Sequence, residues 1–352
     1  MTRLSCIAAA ACVAAALCTP AVGRAQTFNV QKWDIGGEGG TDYLTAEAGT
    51  GRVFVSRGTH VMVVDGRTGK VLGDIPNAPR DHGIALAERA GHGFITAGGD
   101  SSVIMFDLKS LAELKRIKIP QGGQDGIMYD DYSNRVILTN HSRPVGTVVA
   151  LDANTGDIVG TVDLADSGPE GAASDGNGKL FVNLEGKNSI EVIDEKTMKS
   201  VAVWSIAPCD GPTGIAYDRQ SDRIFSGCGD TSVVTNAVNG QVVAKIANGG
   251  RVDALGWDQS QKLIYIPSGE ATGTITVVHE DSPDKYTVIA TVTTVSRAKT
   301  IAVDPVLHAA YVFQPEYGPP PAGTPAPPAN GRGRGRGPQG PMIAAWFAAI
   351  TH

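Results

Sequence analysis

The chain has 352 residues, 42% of them hydrophobic and 19% charged, so it carries enough apolar side chains to bury a large core. Its formal net charge of −6 argues against nucleic acid as the main partner, because phosphate binding depends on clustered lysine and arginine. Forty-four glycines scattered among short polar turns favour many short strands over helices.

Residues 1–25 read as a secretory signal. Arg3 gives the positive end, Ile7 to Leu17 is an alanine-rich apolar stretch too short to span a bilayer, and Gly23-Arg24-Ala25 offers small residues to a signal peptidase. Leu17 is too large for a lipid anchor at Cys18. Cleavage near Ala25 removes Arg3 and Arg24 and no acid, which moves the formal charge from −6 to −8. It also leaves Cys209 and Cys228 as the remaining cysteines, in a periplasmic or extracellular compartment that permits disulfides. No other segment reads as transmembrane, and residues 26–352 read as one monomeric domain.

The segment Thr27 to Ile35 has the shape of a lone strand ahead of a series of repeats. Each repeat opens with a small residue, an aliphatic pair and an acidic residue, as in Gly83-Ile84-Ala85, Gly126-Ile127-Met128-Tyr129-Asp130 and Gly214-Ile215-Ala216-Tyr217-Asp218. Anchored on Leu44, Ile84, Ile127, Ala172, Ile215, Leu255 and Ile301, the spacings are 40, 43, 45, 43, 40 and 46 residues, which makes seven units. Second strands such as Arg52-Val53-Phe54-Val55 and third strands such as Val61-Met62-Val63-Val64-Asp65 follow. A turn of the type Asp65-Gly66-Arg67-Thr68-Gly69-Lys70 then leads to a fourth strand, such as Lys70 to Ile75. Four antiparallel strands repeated seven times describe an all-β, seven-bladed propeller. The last unit lacks a fourth strand, and Thr27–Ile35 pairing with Met342–Ile350 would supply it and close the ring. Residues 315–341, rich in proline, glycine and arginine, read as a solvated low-complexity loop within the last blade.

The repeats resemble the bacterial YVTN (YncE-like) family over residues 27–314 and 342–350. Pro212-Thr213-Gly214-Ile215-Ala216-Tyr217-Asp218, Val136-Ile137-Leu138-Thr139-Asn140 and Asp65-Gly66-Arg67-Thr68-Gly69-Lys70 carry the likeness. It implies a propeller, brings no catalytic motif, and propellers host unrelated activities. Quinoprotein dehydrogenases share a turn like Asp152-Ala153-Asn154-Thr155-Gly156, but the tryptophan that follows it there is replaced here by Ile158-Val159, so no pyrroloquinoline quinone (PQQ) is expected. No Cys-x-x-Cys-His occurs, so covalent c-type haem is excluded. The Gly-His and Trp-Asp pairs of WD40 blades are missing, although the architecture is WD40-like.

Aligning the units places Asp42, His82, Asp125, Glu170, Thr213, Asp253 and Lys299 at one equivalent position, the channel end of each first strand. Asp42, His82, Asp125 and Glu170 form a candidate metal set for Ca²⁺, Mg²⁺ or Zn²⁺, and the alternative is a polar, water-filled funnel. His60 and His141 fall in loops on the same face, while His92 and His308 fall on the opposite one and read as surface residues. Cys209 and Cys228 map to one end of blade five, where a disulfide is geometrically reasonable. Tyr129, Tyr217 and Trp257 recur at one position and read as packing between blades. These features point to a secreted or periplasmic binding or scaffold protein whose channel mouth holds a small molecule, peptide or envelope component. A metal-dependent hydrolase or lyase of the lactonase type is the alternative.

Overall fold

A computed structural model describes residues 27–323 and 340–352. The expected signal segment and most of the low-complexity loop lie outside the described residues. The described residues form seven four-stranded antiparallel sheets, six of them built from strands in simple succession. Blade one comprises Leu44–Ala46, Arg52–Ser56, Val61–Asp65 and Val71–Ile75. Blades two to six repeat the pattern, with first strands at Asp81–Ala87, Gln124–Asp130, Pro169–Ser174, Ile215–Asp218 and Gly256–Asp258. Among the described residues no helix is long and apolar enough to cross a membrane.

The last blade closes the ring. Its strands Ala302–Asp304, Ala309–Tyr317 and Met342–Thr351 are completed by Asn29–Asp34, which pairs antiparallel with Met342–Thr351 from Asn29↔Thr351 to Asp34↔Trp346. The insertion is shorter than residues 315–341, because the second strand continues to Tyr317, opposite Met342. At Pro315 this strand has a partner on one side only, so a single missing N–H is tolerated there. The pairing ends before the three prolines at 319–321, with Gly318 N–H donating to the Pro341 carbonyl at 2.8 Å.

The core is divided into layers, each filling the space between two neighbouring blades. Phe54, Val61 and Ile75 of blade one pack with Ile84, Ile95 and Phe106 of blade two. Tyr217 stacks on Phe181 of blade four at 5.3 Å, and Trp257 lies 4.9 Å from Phe225 of blade five. The small residue before each aliphatic anchor has a packing reason, since a Cβ at Gly83 would lie 2.7 Å from Ile127 of the next blade. First strands therefore approach closely around the axis. Leu44, Ile84, Ile127, Ala172, Ile215, Leu255 and Ile301 line a central cavity of about 170 Å³.

Candidate functional site

The ring residues sit where the first strands begin, and the backbone aims them. In blades two, three and four the first strand carries a register shift, between Asp81 and Ile84, Gln124 and Ile127, and Pro169 and Ala172. His82, Asp125 and Glu170 fall inside these three bulges, and a bulge turns a side chain away from the regular alternation of a strand. Buried second-strand side chains brace the same segments. Thr96 Oγ1 accepts from Gly83 N–H at 2.9 Å, and Asn183 Nδ2 donates to the Thr213 and Gly214 carbonyls at 3.1 and 3.0 Å. Backbone bonds from one blade to the next, such as Tyr43 N–H to the His82 carbonyl at 3.1 Å, fix neighbouring ring positions.

These constraints bring five ionisable side chains together. His82 Nδ1 lies 2.6 Å from Asp42 Oδ2 and 3.7 Å from Asp125 Oδ1. His141, from the loop after the second strand of blade three, places Nε2 at 3.4 Å from Asp125 Oδ2 and 3.6 Å from Glu170 Oε1. Two groups result, Asp42–His82–Asp125 and Asp125–His141–Glu170, and within each the candidate ligand atoms lie within 4.8 Å of one another. Such distances suit a cation or a proton-transfer site, because both need oxygen and imidazole donors that converge on one point.

The electrostatics follow from crowding. Burial raises the Asp125 carboxyl, the negative charge of Asp42 adds to the effect, and His82 and His141 oppose it. Burial works to lower His82, but the Asp42 hydrogen bond and the charges of Asp125 and Asp42 outweigh it and raise the imidazole. The Tyr43 phenol is held well above its ordinary value by burial and then by Asp253, Asp125, Glu170 and Asp42, so it keeps its proton.

The other ring positions stand apart from the two triads. Thr213 is buried and its hydroxyl donates to the Val252 carbonyl at 2.9 Å. Asp253 and Lys299 form an ion pair with each other. Of the two loop histidines, His141 joins the cluster and His60 turns outward to Thr59 and Asp74, at 2.9 and 3.7 Å. His92 and His308 are more than surface residues, since each ties its blade to a neighbour, His92 through the Ala153 carbonyl at 2.9 Å and His308 through Asp258 at 2.8 Å. Cys209 and Cys228 are bonded and buried.

Tyr43 is the residue that the repeat analysis passed over. It lines the central cavity beside the acidic ring. The signal was present, because the equivalent residues in the other six units are Gly83, Gly126, Gly171, Gly214, Ala254 and Thr300, all small. At this position the Tyr43 ring packs against the layer that holds Ala254 and Ile301 and lines the cavity.

No family model matches the chain, and comparison with curated proteins finds no match. Solved structures do resemble it. A chain of hydrazine synthase from Kuenenia stuttgartiensis matches with a TM-score of 0.68 at 16% identity, over 78% of this chain and 92% of that one. A chain of the mitotic checkpoint complex matches with a TM-score of 0.71 at 16% identity, over 88% and 95% respectively. The WD40 repeats of RRP9 match with a TM-score of 0.73 at 9% identity, over 92% of this chain and 100% of that one. At these identities the likeness is one of fold, and the chain is a seven-bladed β-propeller of WD40-like architecture.

Proposed function

We propose that this is a secreted or periplasmic binding propeller of the YVTN type, and that its channel mouth holds a polar ligand with the help of a divalent cation. The observation that carries the reading is the convergence of Asp42, His82 and Asp125, three side chains from three consecutive blades, with their ligand atoms within 4.8 Å. A scaffold needs only polar side chains at this place, whereas these three converge to within metal-binding distance of one another. The segment at residues 1–25 supports export, and a disulfide-bonded blade five suits an oxidising compartment.

Elemental analysis of the purified protein, followed by calcium and zinc titration with thermal melting, tests the reading. A bound ion that raises the melting temperature and is lost in His82→Ala is the expected result. If no ion binds and the melting temperature is indifferent to both metals, the reading fails.

The 2.6 Å bond between His82 and Asp42 favours a second reading, a hydrolase or lyase of the lactonase type in which Asp42 orients His82 as a general base. Tyr43, which keeps its proton, would then donate to the developing negative charge. Hydrolysis of a panel of lactones by the wild type, lost in both His82→Gln and Asp42→Asn, would separate this reading from binding alone.

A further inference from the structure

We propose that the mouth is built for two cations rather than one, with the carboxylate of Asp125 bridging them. This rests on the cation reading above and deepens it. The two oxygens of Asp125 face different imidazoles, Oδ1 toward His82 at 3.7 Å and Oδ2 toward His141 at 3.4 Å. Each imidazole is backed by one further carboxylate, Asp42 for His82 and Glu170 for His141. The result is two sets of identical composition, one histidine and one terminal carboxylate each, related through a shared aspartate.

The spacing fits metal chemistry. A tetrahedral ion with bonds of about 2.1 Å keeps its ligand atoms about 3.4 Å apart. The observed separations of 3.4, 3.6 and 3.7 Å match that value, and the Asp42–His82 hydrogen bond, at 2.6 Å, must open to admit an ion. A second observation concerns the imidazole of His141. Its Nε2 atom is buried and, although Asp125 and Glu170 stand at 3.4 and 3.6 Å, makes no hydrogen bond of proper geometry, which an imidazole nitrogen avoids unless something else satisfies it. Bridged pairs of ions stand about 3.5–4 Å apart, a distance one carboxylate spans.

The donor set also selects the metal. One imidazole per ion favours Zn²⁺ over Ca²⁺ and Mg²⁺, which take oxygen ligands almost alone, and Mn²⁺ serves as a paramagnetic substitute. Three protein ligands leave each ion short of a full shell, and an oxyanion that bridges the two ions completes both. The ligand class implied is therefore a phosphate or carboxylate group.

Manganese is the probe that distinguishes one ion from two. The wild type is expected to bind two equivalents of Mn²⁺ and to show the exchange-coupled electron paramagnetic resonance spectrum of a bridged pair. His82→Ala and His141→Ala should each retain one ion with the six-line spectrum of isolated Mn²⁺, and Asp125→Ala should lose both. Glu170→Gln, a milder change, should also lose the coupling, and circular dichroism with chelator present checks that each variant is folded. Inorganic phosphate should bind the doubly loaded wild type at least tenfold more tightly than His141→Ala. One equivalent of isolated Mn²⁺ in the wild type, kept in His141→Ala and lost in His82→Ala, would overturn the two-ion centre and leave the single-cation reading standing. No ion at all would remove both. Equal phosphate affinity in wild type and His141→Ala would overturn the bridging oxyanion.

Discussion

Asp130 and Glu195 are buried at 0% and 2% exposure on opposite sides of the seam between blades three and four. One oxygen of each, Oδ1 of Asp130 and Oε2 of Glu195, has no other partner, and a single proton shared between them would satisfy both. Burial, followed by the charge of Asp130, pushes Glu195 up to about 7. The unfolded chain releases this proton near the ordinary carboxylate value, whereas the folded chain holds it until about 7. Stability therefore falls as pH rises through that window and levels off above it. Glu195→Gln keeps the donor and removes the titration, so it should raise stability at pH 8 relative to pH 5 by up to about 3 kcal/mol. Urea unfolding at the two pH values measures this, and an unchanged slope would refute the shared proton. At the same scale, the ring position itself was legible, since the repeat in the sequence alone makes Asp42, His82, Asp125 and Glu170 equivalent. The participation of His141 was only half legible, since its loop maps to the same face but its approach to Glu170 spans two blades, and the burial of Glu195, which meets Asp130 across a seam, was not.

Strands such as Val61–Asp65 are legible to the residue, because β-branched runs ending in an aspartate turn leave little choice of register. The starts of the first strands are not. Asp81, Gln124 and Pro169 open strands two residues earlier than the apolar pattern begins, since the bulges interrupt the alternation that marks a strand. The disulfide acts at this level too. Cys209 and Cys228 are 19 residues apart, and closing a loop of that size restricts the unfolded chain by about 3 kcal/mol. Both sulfurs are buried among Ile206, Ile224 and Val233, so removing them also loosens the packing between blades four and five. The double variant Cys209→Ala and Cys228→Ala should lose about 2–4 kcal/mol, read from the urea midpoint under oxidising conditions. A midpoint equal to the wild type would show that the bond is redundant.

Across the whole molecule, stability depends on a closed ring in which every blade has its fourth strand. The strand Asn29–Asp34 covers Met342–Thr351, whose Phe347, Ala348 and Ile350 are buried. Trp33 stacks on Phe347 at 6.1 Å and lies against Gly69 of blade one, so the same short segment closes blade seven and seals it to its neighbour. Deleting residues 27–35 should leave Met342–Thr351 as a long apolar edge. The expected outcome is association in size-exclusion chromatography and a lower, broader melting transition, and a monomer with unaltered melting would contradict it. This closure was readable from the sequence, because a chain with one strand too many at its start and one too few at its end has few ways to pair both.

The aliphatic lining of the axis has a consequence for traffic. Two positions beyond Asp42, His82, Asp125 and Glu170 stand Leu44, Ile84, Ile127 and Ala172, so donors give way to hydrocarbon within one short step. A charged guest that moved inward would shed its hydration against these side chains and meet few donors beyond Tyr43 and Thr45, which is unfavourable. On the binding reading proposed above, a charged guest would arrive and depart through the acidic mouth, which would be its doorway. A partner seated over that doorway would turn a freely exchanging guest into a captive one without touching any of the groups that hold it.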